Sequence, residues 1–265
     1  MNRHILKLLS FRLSGKFAHF RKFYTNSSSL SYLIPPRTAV IGMLGSVLEY
    51  PRDSYYDVFG PESFKISVSV TPGTLIKKQM QSLNYLHADY HKFLTRGGQC
   101  KSMHTQCKLE LLLPAGGHID YTVYVGGTSK AASEILNNIE TRIKSKNLGY
   151  GIYLGQRQFR ADADDVQVFE EIPFREVSDH VDSLCLQENA ELDVSENTDR
   201  HIVMDQMPIQ MQKETQAKKG KKQADPGRVP DIIKRVLSEK TGKRIFGTFR
   251  NCYRIGEKTI SFYEG

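Results

Sequence analysis

The feature that most constrains this chain is a set of period-two runs separated by two segments of helical period. Phe64-Lys65-Ile66-Ser67-Val68-Ser69-Val70 alternates apolar and polar residues, and Ile119, Tyr121, Val123 and Val125 repeat the pattern. Such alternation marks strands with one buried face. Leu9, Phe11 and Leu13 alternate with Ser10 and Arg12, which predicts a first strand over residues 4–13, ending at Gly15. Pro35-Pro36 opens a helix over 37–48, because proline is tolerated in a first helical turn. Gly42 and Gly45 lie three apart on it and predict a close approach to the sheet. Ala132, Ile135, Leu136, Ile139 and Ile143 predict a second helix over 129–146, and a short closing strand is expected over 150–154. Between Pro72-Gly73 and the 114–117 turn, residues 75–86 and 107–113 read as the arms of a long projection. The order β-α-β-(projection)-β-α-β predicts an α+β, ferredoxin-like domain over 1–160, the architecture of RNA-recognition motifs.

Beyond residue 160 the chain changes character. A short strand is expected near 166–169, loop over 188–199, a strand over 201–211, a short helix over 231–240 and a last strand over 259–263. This predicts a small, mostly β C-terminal region over 161–265, with a mobile Lys-rich linker over 213–228. Charge follows the same division. Residues 1–160 carry 21 Lys/Arg and 9 Asp/Glu, residues 161–199 carry 13 acids and one Arg, and residues 200–265 carry 15 bases and 7 acids. Basic character segregated from one acidic block points to a polyanionic partner.

Four cysteines without a Cys-x-x-Cys pair suit a reducing cytosol and no disulfide framework. No apolar run approaches the ~18 residues of a membrane span. The N-terminus is Arg- and Ser-rich with no acid before Glu49, like a transit peptide, but the strand-and-helix pattern within it argues for folded structure.

Chemistry concentrates between Gly15 and Leu48. Lys16, His19, Arg21, Lys22 and Arg37 interleave with Phe17, Phe20, Phe23, Tyr24 and Tyr32. Cations attract phosphates, and aromatic rings and Arg planes stack on unpaired bases. Free N–H groups at Pro36–Thr38 would add an anion site. Phe17 and Phe20 read at least as well as core.

The run Phe11-Arg12-Leu13-Ser14-Gly15-Lys16-Phe17-Ala18-His19-Phe20-Arg21-Lys22, followed by Ser31-Tyr32-Leu33-Ile34-Pro35-Pro36-Arg37-Thr38-Ala39-Val40-Ile41-Gly42-Met43-Leu44-Gly45, resembles the N-terminal signature of the fifth CRISPR-associated (Cas) protein family, closest in spelling to the subtype I-B branch. Tyr153-Leu154-Gly155-Gln156-Arg157-Gln158-Phe159-Arg160-Ala161 resembles that family's Leu-Gly-x-Arg-x-Phe-x-Ala block, with Gln158 where an acid is usual.

The resemblance implies a modified RNA-recognition (RAMP) fold with a protruding β-hairpin thumb, here about 75–113. It implies a non-catalytic subunit of a type I Cascade complex that holds the 5′ handle of the crRNA and caps the backbone filament in antiviral defence. The implied partners are the crRNA, the backbone subunit, the large subunit and target DNA near the protospacer-adjacent motif, in a prokaryotic cytoplasm. The RNA-binding candidates are Lys16, His19, Arg21, Lys22, Tyr24, Ser31, Tyr32, Arg37, Thr38, Lys77, Lys78, Lys92, Arg96, Lys101, Gln156 and Arg157. No catalytic residue, cofactor or metal is expected. His87, Asp89, His91, Cys100, His104 and Cys107 are ligand types, but without a Cys-x-x-Cys anchor they read as polar residues of an RNA-facing hairpin. Two alternatives stand beside this reading. One is a metal-independent endoribonuclease acting on repeat RNA, with His4, His19, Lys22 or Tyr24 as acid–base groups. The other is an organellar RNA-associated protein with a cleaved leader.

Overall fold

The computed structural model describes residues 4–25, 29–86, 90, 95, 104–213 and 228–265. Its centre is a four-stranded antiparallel sheet formed by β1 (Lys7–Gly15), β4 (Phe64–Val70), β7 (Ile119–Gly127) and β8 (Ala161–Phe169), in the order β4-β7-β1-β8. Two short strands, β2 (Phe20–Arg21) and β3 (Ser31–Tyr32), follow β1 and pair with each other. Helix α1 (Arg37–Val47) lies between them and β4, and α3 (Lys130–Lys144) connects β7 to β8. That order and connectivity define the ferredoxin-like split βαβ fold. Alternation sets the faces: Leu9, Phe11 and Leu13 of β1 join Tyr121, Val123 and Val125 of β7 and Ile66 and Val68 of β4 in the main core. Helix α3 adds Ala132, Leu136, Ile139 and Ile143, and Ser129 caps it by accepting a hydrogen bond from the Ala132 N–H.

Most of the predicted elements stand within a few residues of their expected bounds. The closing strand does not. Residues 150–154 form a loop that makes only a Tyr153–Arg160 bridge, because Gly149, Gly151 and Gly155 all adopt positive φ. The sheet is closed instead by β8, at the head of the acidic block. The two helical glycines also differ from expectation. They face α2 (Tyr55–Val58), and a Cβ on Gly45 would stand 2.7 Å from the Tyr55 ring, so the close approach is to a tyrosine and not to the sheet.

The projection is a two-stranded hairpin of β5 (Ile76–Leu86) and β6 (His104–Pro114), paired along its whole described length. The C-terminal region is almost wholly β. Strands β12 (Ile202–Lys213) and β13 (Arg228–Glu239) pair over eleven positions and carry β10 (Cys185–Leu186) at their edge. Strand β14 (Ile245–Ile255) pairs with β9 (Phe174–Val181), β11 (Ala190–Leu192) and β15 (Lys258–Ile260). The helix expected over 231–240 is therefore the strand β13. Ile232 adopts a positive φ of 46°, which leaves the adjacent Ile232 and Ile233 both outward, and this doublet imitates helical spacing. The expected Lys-rich linker lies mostly outside the described residues. Met207, Ile209, Val236 and Tyr263 enter the main core, so the two regions share one interior. No helix among the described residues is long and apolar enough to cross a membrane.

Candidate nucleic-acid interface

The site is built where β1 ends. A Cβ on Gly15 would lie 2.7 Å from the Leu154 side chain and 3.0 Å from the Arg160 carbonyl, so β1 abuts the loop over 149–160 directly. The chain then threads between that loop and the root of the hairpin. Ala18 and Leu112 exchange backbone hydrogen bonds of 3.2 and 2.9 Å, and the His19 N–H donates to the Leu154 carbonyl at 3.0 Å. Gly155 (φ +91°) packs so closely that a Cβ would fall 1.8 Å from the His19 carbonyl oxygen. Phe17 and Phe159 meet in a tilted contact, 6.2 Å between centroids. The two motif blocks, 135 residues apart in sequence as counted from Ala18 to Tyr153, thus form one surface with the hairpin.

Buried polar groups hold that surface in place. His19 is only 1% exposed. Its Nδ1 lies 2.8 Å from the Glu110 carbonyl, which can only accept, so Nδ1 carries the proton. Nε2 must then accept from Ser29 Oγ at 2.9 Å. Burial pushes this imidazole below its ordinary pKa, partly offset by the Glu110 carbonyl. Ser31 is fully buried; its N–H donates to Glu110 Oε2 at 2.8 Å and its carbonyl accepts from Lys78 Nζ at 2.8 Å. Burial lowers the Lys78 pKa, with Glu110 opposing the shift. Tyr32 is buried and donates to the Gln206 carbonyl at 2.7 Å. Lys22 is ion-paired with the buried Asp205 and lies 5.7 Å from the Tyr32 ring centroid. Burial pulls its pKa down, but the hydrogen bond and charge of Asp205 outweigh that and raise it.

Arg37 is a correction. It is 1% exposed, ion-paired with Glu264, and donates to the Phe59, Phe64 and Ile209 carbonyls at 2.8, 3.2 and 3.1 Å. Its guanidinium is engaged inside the protein, so it fastens the C-terminal residues to α1 and reaches no surface. His19, Ser31 and Tyr32 are corrected likewise, from RNA-contacting residues to scaffold.

The other candidates remain at the surface. Lys16, Arg21, Tyr24, Lys77 and Arg157 are exposed, and Arg21 donates to the Thr25 carbonyl at 2.9 Å. Gln156 meets the hairpin, accepting from Tyr85 Oη at 3.4 Å. Thr38 lines a cleft beside the glycine loop. Lys92, Arg96 and Lys101 lie outside the described residues. Phe20 is core as expected, but Phe17 is 43% exposed, the reverse of its reading as core. Tyr153 and Arg160, not among those candidates, are also exposed, as is Tyr85 of the hairpin. For Tyr153 and Arg160 the signal was available, since both fall within the matched second block.

A ferredoxin-like domain with a protruding hairpin, and basic and aromatic side chains around its glycine loop, defines the RAMP class of proteins. Within that class the chain belongs to the family whose model is described as CRISPR-associated protein (Cas_Cas5), which matches residues 8–225. A CRISPR protein from Archaeoglobus fulgidus superposes with a TM-score of 0.54 at 9% identity, over 96% of this chain and 97% of that one, which establishes the shared fold. A chain of a CRISPR RNA-guided surveillance complex aligns over 92% of this chain and 91% of its own, at 12% identity and a TM-score of 0.45. No curated protein sequence matches the chain.

Proposed function

We propose that this protein is a non-catalytic CRISPR RNA-binding subunit that holds the repeat-derived 5′ handle of the crRNA and caps the backbone filament of a type I, I-B-like Cascade. Its partners are then the crRNA, the backbone subunit and the large subunit, with target DNA near the protospacer-adjacent motif as a further neighbour. The observation that carries this reading is the convergence of the 15–20 segment, the 149–160 loop and the hairpin root. It leaves Lys16, Phe17, Arg157, Arg160 and Tyr153 exposed on a scaffold of buried hydrogen bonds. Cations that track a backbone beside rings that stack bases are the requirements for gripping single-stranded RNA.

The arrangement of His19 supports the absence of catalysis. A general base for RNA cleavage must reach the 2′-OH, whereas both nitrogens of His19 are committed inside the protein. The test is binding of the full chain to repeat-derived 5′ handle RNA and to a scrambled RNA of equal length, with EDTA present. Preferential binding of the handle without cleavage is expected. Equal affinity for both would remove handle recognition, and cleavage at one defined position would establish the ribonuclease alternative.

A further inference from the structure

The glycine loop, residues 149–160, closes on helix α1 only at the helix's C-terminal end, where Gly149 packs on the Ser46 carbonyl. Between them lies a cleft of about 180 Å³, lined by Thr38, Gly42, Ser46, Tyr55, Gly151 and Tyr153 among others. Thr38, Gly42 and Ser46 are four residues apart and form one face of α1. Gly42 has no side chain to fill the gap, and at Gly151 (φ +86°) nothing lies within 4 Å of where a Cβ would stand. Ser46 Oγ donates to the Gly151 carbonyl at 2.7 Å, so the loop is tied to the helix with the space preserved. Tyr55 is fixed at one wall by its packing against Gly45, while Tyr153 is 43% exposed at the mouth. The Thr38 hydroxyl has no hydrogen-bond partner among the described residues. The cleft is continuous with the surface described above through Gly155, which both lines it and packs on His19.

A volume of about 180 Å³ is below the ~300 Å³ at which small-molecule pockets begin. The walls are two tyrosines, Met43, Ile152 and the small residues of one helix face, so the lining is more apolar than polar. That suits one flat, partly apolar group offering a hydrogen-bonding edge, which a nucleobase does. We propose that this cleft accepts a single unstacked base of the bound RNA, with Tyr55 and Tyr153 against its faces and Thr38 at its edge. The proposal rests on the RNA-binding reading above and adds to it a discrete pocket. Binding then depends strongly on the base at one nucleotide and weakly on its neighbours.

The experiment uses the full chain and a repeat-derived 5′ handle RNA in which each nucleotide in turn is made abasic. Wild-type protein should lose about ten-fold in affinity at one position and little elsewhere, the size of one base–aromatic stack. Gly42→Leu fills the cleft from a helix interior; its Cβ meets Tyr55 Oη at an ordinary 3.5 Å, and it gains helix propensity. It should bind intact RNA about ten-fold more weakly and lose the position-specific response. Tyr153→Ala, at a half-exposed site where folding is not at stake, should blunt the same position. A flat abasic profile in wild type, or a Gly42→Leu profile identical to wild type in a folded protein, overturns the pocket while RNA binding stands. Failure of wild type to prefer the handle over scrambled RNA overturns the underlying reading and the pocket together.

Discussion

Arg37 and Glu264 show what single residues contribute. Both side chains are 1% exposed and are joined by an ion pair within a ring of backbone carbonyls. Removing one partner of a buried pair leaves the other as an uncompensated charge, which costs about 3–5 kcal/mol. Arg37→Ala should therefore lower unfolding free energy by about that amount in urea titration. A loss under about 1 kcal/mol would mean that Glu264 finds other compensation. His19 gives a pH prediction. Its folded-state pKa is depressed, so the unfolded chain binds the proton first as pH falls. Stability from this site is complete above about pH 6.5 and declines below it. His19→Gln should flatten that part of the pH–stability curve, and an unchanged curve would show that another group sets it. Read from sequence, both Arg37 and His19 belong to the surface, because a basic residue in a basic segment looks like a ligand for phosphate. Their partners are too distant to be read that way: Glu264 lies 227 residues from Arg37, and Glu110 lies 91 from His19.

The same division between local and distant causes holds for elements. Strands with strict alternation and the helix that Ser129 caps were legible because their determinants are local. Ser129→Ala should cost about 1 kcal/mol, measurable by thermal melting. The expected closing strand, β13 and β14 were misread or missed where special backbone breaks the period. Positive φ at Gly149, Gly151 and Gly155 turns the expected strand into a loop, Ile232 does the reverse by making a strand look helical, and Gly247 and Asn251 interrupt β14. The glycine loop matters most here, since it seats the 15–20 segment. Gly155→Ala would need both a strained φ and a Cβ 1.8 Å from the His19 carbonyl. It should destabilise by more than about 3 kcal/mol or move the loop, and RNA affinity should fall with it. Full stability and affinity would show that the loop does not depend on this close approach.

At the scale of the whole molecule, the acidic block reads differently once its partners are visible. Asp164 pairs with Arg12, Asp162 with Lys146, Asp182 with Arg244, Glu188 with Lys234, Glu191 with Arg250 and Asp199 with Lys243. Much of the negative segment is therefore answered by bases of its own chain, mostly as surface pairs worth about 0–1 kcal/mol each. Lys16, Arg157 and Arg160 around the glycine loop are exposed and take no part in these pairs. Charge counting points to a polyanion partner, and the joining of two distant blocks brings their basic residues to one surface. The direct test is the salt dependence of handle-RNA binding for wild type and for Lys16→Ala/Arg157→Ala/Arg160→Ala. Each phosphate that the variant no longer neutralises should reduce the slope of log K against log salt by about 0.7 for a single strand. Weaker binding and a slope shallower by about two are expected; unchanged affinity and slope in a folded triple variant would contradict RNA binding at this surface.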